Sequence, residues 1–368
     1  MKVKIGDLTK IKTGKLDANV SSEDGKYPFF TCSKEPLKIS TYSYDCECVL
    51  VAGNGDLNVK YYNGKFDAYQ RTYIIEANGS GKLYMPYLYY FMEDYIDELR
   101  KQAIGGVIKY IKLANLTDAL IELPSVDEQK SIVEILKKVK GILDKRNDEI
   151  RELDNLIKAR FVEMFGDPVA NDKGWKTKPL LDMGKCKNGM NFHYDDSGVE
   201  ISCLGVGDFK DLSVIDNTKK LSIVSLNEMP SEEYLLKDGD IVFVRSNGNK
   251  DLVGRSLAIY PGNLPTTFSG FCIRYRIHDD EITVPYLLRV LKMESMRKKM
   301  AGRGANIQNL NQQILGTLVI PVPPIELQNQ FVDFVRAIDK SKFDTMTFAP
   351  IYAIINLYLH TYFYQGRR

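Results

Sequence analysis

The side chains that most often act in catalysis or bind metals are present, but their spacing does not form a reactive centre. The cysteines include no Cys-x-x-Cys pair, and in a chain of this size we interpret them as reduced thiols that pack like small apolar residues. They are Cys32, Cys46, Cys48, Cys186, Cys203 and Cys272. The histidines His193, His278 and His360 are far apart in sequence and lack ligand spacing, so we expect no zinc site.

Nucleotide-binding and nuclease motifs are also incomplete. No Gly-Lys pair continues to Ser or Thr as a Walker loop requires, and Gly53-x-Gly55 and Gly205-x-Gly207 both lack the third glycine of a dinucleotide fingerprint. The acidic-x-Lys triplets at 128–130 and 208–210 are weak candidates for a magnesium-dependent nuclease, and the Pro323-Pro324 pair lacks the flanking residues of an Asn/Asp-Pro-Pro-Tyr methyltransferase loop. We therefore expect a chain without catalytic residues, metal or cofactor.

Composition indicates a folded protein with two or three domains. The chain has 368 residues, of which 44% are hydrophobic and 27% are charged, enough for a large core. Its net charge is only +2, so a polyanionic partner would have to be bound by local groups of charges. The sequence has no long apolar run and no apolar signal segment after Met1, which favours a cytoplasmic location.

The second half of the chain repeats the first. A shift of 199 positions aligns residues 86–136 with 285–335 without a gap. The identical pairs include Pro86-Tyr87-Leu88 with Pro285-Tyr286-Leu287, Gly105 with Gly304, Ile121 with Ile320, Pro124 with Pro323, and Gln129 with Gln328. Further upstream Gly14 aligns with Gly189 at a shift of 175, so the second copy holds about two dozen extra residues. The sequence therefore predicts two homologous modules, each with a variable beginning and a constant end.

Each module is predicted to begin with short strands and to continue with a helix. Runs rich in β-branched and aromatic residues lie between turn signals at 48–52, 61–66 and 71–75, and at 239–245, 256–260 and 271–275. Pro86 and Pro285 stand at expected first helical positions, and apolar residues follow at helical spacing, from Leu287 to Met296 in the second copy. The expected fold class is α+β, with two tandem α/β modules.

A longer helix is predicted after each module. Ser125 and Glu128 form a capping box, and apolar residues then recur every three, four or seven positions from Ile132 to Met164. Forty helical residues would make a rod of about 60 Å whose narrow apolar seam needs a partner helix. The candidate partner carries Phe331, Phe334, Val335 and Ile338 and should stop or kink before Pro350. The aromatic segment after Pro350 either covers a neighbouring surface or is a diverged tail.

This organisation resembles the specificity subunits of type I restriction-modification systems over essentially the whole chain. The resemblance rests on the paired junctions Ile121-Glu122-Leu123-Pro124-Ser125-Val126-Asp127-Glu128-Gln129 and Ile320-Pro321-Val322-Pro323-Pro324-Ile325-Glu326-Leu327-Gln328. The segments at 160–168 and 174–176, which start the second module, are also typical of that family. The junction motif is weak when it occurs once, and more specific when it occurs twice at this distance.

The resemblance implies a subunit without catalysis that reads a bipartite, asymmetric DNA target. It implies target recognition domains at 1–124 and 167–323, and spacer helices at 125–166 and 324–368, the last with the C-terminal tail. The two helices would form an antiparallel coiled coil in a pseudo-twofold repeat. The implied partners are double-stranded DNA, two methyltransferase subunits and restriction (translocase) subunits, which would bind S-adenosylmethionine and ATP. Two recognition domains, here called heads, held apart by a stiff spacer would suit half-sites about 34 Å apart.

Base recognition needs Arg, Asn and Gln side chains on loops, while Lys and glycine-rich backbone can bind phosphates. The candidates are Asn54, Asn58, Lys60, Tyr61, Gln70, Arg71, Lys109 and Tyr110 in the first module, and Arg245, Asn247, Asn249, Lys250, Arg255, Arg303, Asn306 and Gln308 in the second. Taken singly, an Asn-Gly pair is more often an ordinary turn than a DNA contact. The alternative function is a duplicated scaffold whose two heads bind protein or RNA.

Overall fold

The computed structural model describes residues 2–192, 197–209, 214–301 and 309–346, with side chains up to Lys342. The chain divides into two compact units, one containing Met1–Glu149 and the other Ile150–Phe343. His193, His360, Pro350 and the whole of 302–308 lie outside the described residues. No helix among those residues is both long enough and apolar enough to cross a membrane.

The first unit is built from short strands and helices. Its elements in chain order are β1 (Lys2–Lys4), α1 (Ile5–Leu8), β2 (Thr9–Thr13), β3 (Tyr27–Phe30), β4 (Leu37–Ile39), β5 (Tyr44–Ala52), β6 (Val59–Ala68), β7 (Thr72–Ala77), α2 (Met85–Gln102), α3 (Leu113–Thr117), β8 (Leu120–Glu122) and α4 (Val126–Phe165), of which α4 continues into the second unit.

A mixed sheet with the strand order β2-β7-β5-β6-β3-β4 forms the centre of the first unit. Because successive side chains of a strand point to opposite faces, β5 contributes Val49 and Val51 to one face and Cys48 and Leu50 to the other. The first face packs on α2 and on the start of α4. The opposite face holds a smaller cluster that includes Phe66. The strands and helices predicted from the sequence for this module are therefore present.

The second unit has the same plan with more strands. Its elements are β9 (Thr177–Pro179), β10 (Gly184–Asn188), β11 (Val199–Leu204), β12 (Val214–Ile215), β13 (Ser222–Leu226), β14 (Asp240–Val244), β15 (Ser256–Ile259), β16 (Thr266–Phe268), β17 (Cys272–Ile277), α5 (Val284–Lys292), α6 (Glu294–Ala301), α7 (Gln312–Gly316), β18 (Val319–Pro321) and α8 (Ile325–Met346).

One sheet of the second unit has the order β10-β17-β14-β15-β12, and another has the order β13-β11-β16. Ile241 and Phe243 of β14 pack toward α5, while Val242 and Val244 pack on the opposite face with Phe268 of β16. The apolar spacing from Leu287 to Met296 predicts one helix, but the structure has two. Met293 has an extended ψ of 141°, and its carbonyl accepts a hydrogen bond from Arg297 N at the start of α6.

The capping box predicted for α4 is confirmed. Ser125 N donates to the Glu128 carboxylate over 2.8 Å, and Glu128 N donates back to Ser125 Oγ over 3.4 Å. Since the carboxylate accepts hydrogen bonds from the Ser125 hydroxyl and backbone N–H, the pKa of Glu128 is lowered. The predicted apolar seam is buried at Ile132 and Leu136, whereas Ile142 is half exposed.

The end of α4 packs against α8 inside the second unit. The Phe161 ring lies 5.4 Å from the Phe331 ring, and Lys342 Nζ lies 2.6 Å from Asp154 Oδ1. From Asp154 to Phe161 along α4, the contact on α8 moves back from Lys342 to Phe331, so these two segments run antiparallel. This orientation agrees with the prediction that α8 partners the seam of α4.

Strand pairing shows the repeat directly. In the first unit β1 pairs antiparallel with β8, and Val3 stands opposite Ile121. In the second unit β9 pairs antiparallel with β18, and Lys178 stands opposite Ile320. These positions differ by the same shifts of 175 and 199 that align the two halves of the sequence. The two units are therefore copies of one structural frame.

Candidate functional site

A buried glutamine holds the helix junction together in both units. Gln129 Oε1 accepts from Tyr84 N over 2.8 Å, and its Nε2 donates to the Lys82 and Pro124 carbonyls over 2.8 and 2.9 Å. Gln328 makes the same three bonds, with Thr283 N over 2.8 Å and with the Glu281 and Pro323 carbonyls over 2.8 and 2.9 Å. Both side chains are fully buried. The junction motif therefore joins the start of α4 or α8 by hydrogen bonds to the loop that precedes α2 or α5.

The repeated Pro-Tyr-Leu motif is structural as well. The Tyr87 hydroxyl donates to the Glu122 carbonyl over 2.9 Å, and the Tyr286 hydroxyl donates to the Pro321 carbonyl over the same distance. Both tyrosines are fully buried, and burial raises the pKa of each hydroxyl. Residues that the two copies share thus build the frame, which leaves recognition to positions where the copies differ.

Several candidate residues of the first unit meet at one end of its sheet. Asn54 forms an isolated antiparallel bridge with Tyr110, and Gly55 N donates to the Lys109 carbonyl over 3.0 Å. Gly105, at the base of the 104–110 loop, has a φ of 121°, and a Cβ there would lie 2.7 Å from the Ile108 carbonyl oxygen. This backbone conformation explains why the position is a glycine in the first unit, while the aligned Gly304 lies outside the described residues.

Cys32 connects this group to two more candidates. Its thiol donates to Asn54 Oδ1 over 2.9 Å and lies 3.7 Å from the Arg71 carbonyl, and its own carbonyl accepts from Asn58 Nδ2 over 2.8 Å. Lys60 donates to Asn58 Oδ1, and burial lowers the pKa of its ammonium group. Within the described residues the Arg71 guanidinium has no hydrogen-bond or ion-pair partner. This end of the sheet can therefore present amide and guanidinium donors to a ligand.

Two candidates of the first unit are occupied elsewhere. Gln70 Nε2 donates to Asp17 Oδ1 over 2.6 Å, beside the end of β6. Tyr61 lies in the middle of β6, where its hydroxyl donates to Glu47 over 2.7 Å and its ring is 6.2 Å from that of Tyr89. The structure therefore does not bring Tyr61 to the group around Asn54. Strand position decides this, because Tyr61 faces the same side of the sheet as α2.

The corresponding end of the second unit carries the 245–250 loop. Arg245 N donates to the Phe271 carbonyl over 2.7 Å, and Leu310 N donates to the Arg245 carbonyl over 2.8 Å. The first unit has matching bonds, from Gly53 N to Arg71 and from Ile111 N to Gly53. Asn247 Oδ1 accepts from Asn249 N over 2.8 Å, so one amide oxygen serves the turn itself. The two heads thus expose different side chains from the same backbone frame.

The remaining candidates of the second unit fall into two groups. Arg255 follows the loop and donates from Nε to the Asp251 carbonyl over 3.3 Å. It also lies near Lys292, where burial together with the charges of Arg289 and Arg255 lowers the pKa to about 8. Lys250 lies at the start of a short 3-10 turn, Lys250–Leu252. Arg303, Asn306 and Gln308 lie outside the described residues.

Three exposed apolar side chains near these loops, in two groups, were not predicted from the sequence. Phe271 is 60% exposed beside Arg245, at the position that Arg71 occupies in the first unit. Val107 and Ile108 form an exposed apolar tip between Gly105 and Lys109. Apolar side chains can pack on thymine methyl groups, so such a tip suits DNA chemistry. The correspondence of Phe271 with Arg71 comes from matching backbone hydrogen bonds, since the shift of 199 aligns Arg71 with Gly270.

Both halves of the chain match one family of known proteins. Residues 1–153 and 172–351 match the model of the family described as "Type I restriction modification DNA specificity domain". Over 156 residues the chain is 37% identical to the specificity subunit of the type I restriction enzyme EcoDI from Escherichia coli, which covers 42% of this chain and 34% of that protein. It is 26% identical to the StySPI specificity subunit from Salmonella potsdam over 65% of this chain and 54% of that one. The matches thus span about a third and a half of these relatives.

Solved structures share the fold. The type I restriction-modification S subunit from M. genitalium superposes with a TM-score of 0.57 at 17% identity, over 99% of this chain and 96% of that one. A structure described as showing complex assembly and conformational transition of the type I R-M system gives 0.57 at 15% identity, over 98% and 97%. Since the family model matches both halves of the sequence, the chain belongs to the type I restriction-modification DNA specificity family.

Proposed function

We propose that this chain is the non-catalytic DNA-specificity subunit of a type I restriction-modification complex. Each unit reads one half of a split, asymmetric DNA sequence. The observation that carries the proposal is that repeated residues build the buried frame, whereas residues that differ between the copies lie on the loops. Gln129 and Gln328 maintain the same buried frame twice, whereas the loop residue that follows the same strand is Arg71 in one copy and Phe271 in the other. Unlike surfaces on one frame suit unlike half-sites.

The proposed domain boundaries are those expected from the sequence. Recognition domains extend over 1–124 and 167–323, and spacer helices over 125–166 and 324–368. The observed bounds of α4, Val126–Phe165, and the start of α8 at Ile325 support this division. The methylation and cleavage reactions belong to partner subunits, two methyltransferase chains and the restriction chains, because the expected catalytic motifs are absent from this sequence. We expect these components to meet in the cytoplasm.

Loops at the strand ends are the proposed contact surfaces. In the first unit they present Asn54, Arg71 and Lys109, and in the second they present Arg245 and Asn247. Arg is suited to guanine and Asn to adenine in the major groove, while Lys suits phosphates. The other candidates for these two surfaces are Asn58, Lys60, Tyr110, Asn249, Lys250 and Arg255, while Gln70 and Tyr61 are engaged elsewhere in the first unit. Arg303, Asn306 and Gln308 lie outside the described residues and stay predictions for the second unit.

Methylation mapping tests the proposal. The chain is produced together with a type I methyltransferase subunit in a host that lacks its own system, and methylated positions are mapped by single-molecule sequencing. We expect methylation at one bipartite, asymmetric sequence that depends on this chain. A complex that assembles but methylates no split sequence would contradict the proposal, and binding only to RNA or protein would favour the scaffold alternative.

Head-specific variants sharpen the test. Arg71→Ala should relax discrimination at positions of one half-site, and Arg245→Ala at positions of the other, each by about 10- to 100-fold if the arginine makes a bidentate base contact. Lys130→Ala, which removes an exposed charge from α4, is the matched control and should leave both half-sites unchanged. Equal relaxation of both half-sites by one arginine variant would contradict the assignment of one head to one half-site.

A further inference from the structure

An edge of the main sheet in the second unit carries an unusual group of cations. In the pairing of β10 with β17, Lys185 stands opposite Arg276 and Lys187 stands opposite Arg274. Directly paired residues share a face of the sheet, so these four cations lie on one face. Arg274 also stands opposite Val242 of β14, on the face that packs toward β16. Four positive charges thus lie at the border of a buried apolar layer.

Two of these cations are fully paired. Arg276 donates from Nε and Nη2 to the two oxygens of buried Asp240, both over 2.7 Å, and from Nη2 to the Leu235 carbonyl over 2.9 Å. Lys187 Nζ lies 2.7 Å from Glu233 Oε1 and 4.3 Å from the ring centre of Tyr234. The two acids are therefore already engaged, which leaves a surplus of positive charge on this face.

Arg274 differs from these two paired cations. The residue is only 6% exposed, and its Nε is buried without a hydrogen-bond partner among the described residues. Burial and the neighbouring charge of Arg276 lower the pKa of its guanidinium. Arg274 lines an open pocket together with Lys185, Glu233, Arg276, Ile277 and His278. A buried cation without a partner is costly for folding, so its retention needs a reason.

The other copy supplies the comparison. In the first unit the position equivalent to Arg274 is Ile74, which stands opposite Lys12 of β2 and Leu50 of β5. Ile74 is fully buried in the apolar cluster of that face. The frame therefore folds well with an apolar residue here. The arginine is a special feature of the second copy, placed where its donors line a pocket.

We propose that this pocket binds a phosphate group, with the Arg274 guanidinium as the principal donor and Lys185 at its mouth. Arginine donates to phosphate through a planar fork of N–H groups, and charge-assisted bonds of this kind are the strong ones. A tetrahedral phosphate offers more acceptor oxygens to Arg274 and Lys185 together than the two oxygens of a carboxylate do. The phosphate is either free or part of the backbone of bound DNA. The DNA source rests on the proposed function, whereas the pocket itself does not.

Calorimetric titration of the full chain with inorganic phosphate tests the pocket. We expect wild-type protein to bind phosphate with a dissociation constant of about 1 mM or lower. Arg274→Ile, which copies the first unit, should weaken binding about tenfold or more, because a hydrogen bond to a charged group is lost. Lys299→Ala removes an exposed charge of the same sign from α6 and should bind like wild type. Arg274→Met is a second variant for the case in which Arg274→Ile does not fold.

A competition experiment separates the two sources of phosphate. Duplex DNA that carries the methylated sequence should displace inorganic phosphate from the assembled complex if the pocket holds a backbone phosphate, and should leave it bound if the ligand is free phosphate. Wild-type protein that binds no phosphate, or a folded Arg274 variant that binds it as well as wild type does, would overturn the pocket. These results involve the chain alone and remain decisive if the proposed DNA function fails.

Discussion

The buried helix junction is the same in both units, whereas the face of the sheet opposite α2 and α5 differs between them. At the junction, Gln129 and Gln328 make matching hydrogen bonds within 0.1 Å of one another in length. On the far face, Ile74 of one unit corresponds to Arg274 of the other. A duplicated frame therefore constrains only those residues that hold its elements together. The side chains of faces and loops that make no such junction contacts can change in charge and size.

The aromatic cluster of the second unit should give the largest effect. Phe161 packs against Phe165, Tyr286 and Phe331 with ring centres 5.0 to 5.7 Å apart, and it is almost completely buried. Phe161→Ala should lower the free energy of unfolding by about 3 to 5 kcal/mol, because a large cavity is left. The fluorescence of Trp175, whose indole N–H donates to the Phe165 carbonyl, reports this unit in denaturant. Ile142→Ala on the half-exposed part of α4 is the control, and an equal loss there would contradict the packing.

The two glutamines should give the next largest effect. Gln328→Ala and Gln129→Ala each leave one N–H group and two carbonyls buried without their partner, so each should cost about 3 kcal/mol. Gln328→Ala should shift the Trp175 transition, and Gln129→Ala should instead speed amide hydrogen exchange in the first unit. Gln330→Ala, on the exposed side of α8, should do neither. A small effect in one copy only would show that the two junctions are not equivalent.

Lys292 offers a test by pH. Its pKa is lowered to about 8 from an ordinary value of 10.5, so the folded state disfavours the charged form. Stability from this group is therefore reduced below pH 8 and recovered as the pH rises from about 8 to 10.5. Lys292→Met should be more stable than wild type by about 2 kcal/mol at pH 7, a figure discounted for partial exposure, and the difference should vanish above pH 10.5. At the equivalent position of the first unit, Glu93 pairs with Lys140.

The buried tyrosines should give the smallest effect. Tyr87→Phe and Tyr286→Phe each remove one hydroxyl that donates to a strand carbonyl over 2.9 Å, which should cost about 1 kcal/mol. Because the two geometries match, the losses should be equal when measured by hydrogen exchange in the respective units. A clear inequality would show that α2 and α5 are held to their strands with different strengths.

Much of the frame could be predicted from the sequence because its signals are local or repeated. Turn residues predict the strands, and Ser125 with Glu128 predicts the capping box of α4. The shift of 199 predicts the register of the two copies. The break at Met293 could not be predicted, because Leu287 to Met296 keep helical spacing across it. The group around Cys32 also escaped prediction, since Asn54, Asn58 and Arg71 meet there only after β5, β6 and β7 pair. The burial of Arg274 depends in the same way on which strand covers its face.

The pairing of the first and last strand in each unit has a consequence for how such a chain can vary. Lys2 stands opposite Glu122, and Thr177 stands opposite Pro321, so each head begins and ends at one place beside the helix that follows. Residues inserted between those strands enlarge an outer loop and leave both ends fastened. The second head already contains such an enlargement in β12, which lies between β11 and β13 in the chain and pairs with β15, whereas β13-β11-β16 repeats β4-β3-β6 of the first head. Insertions and deletions inside a head should accordingly be tolerated, while a single residue added between Glu122 and Val126 should not.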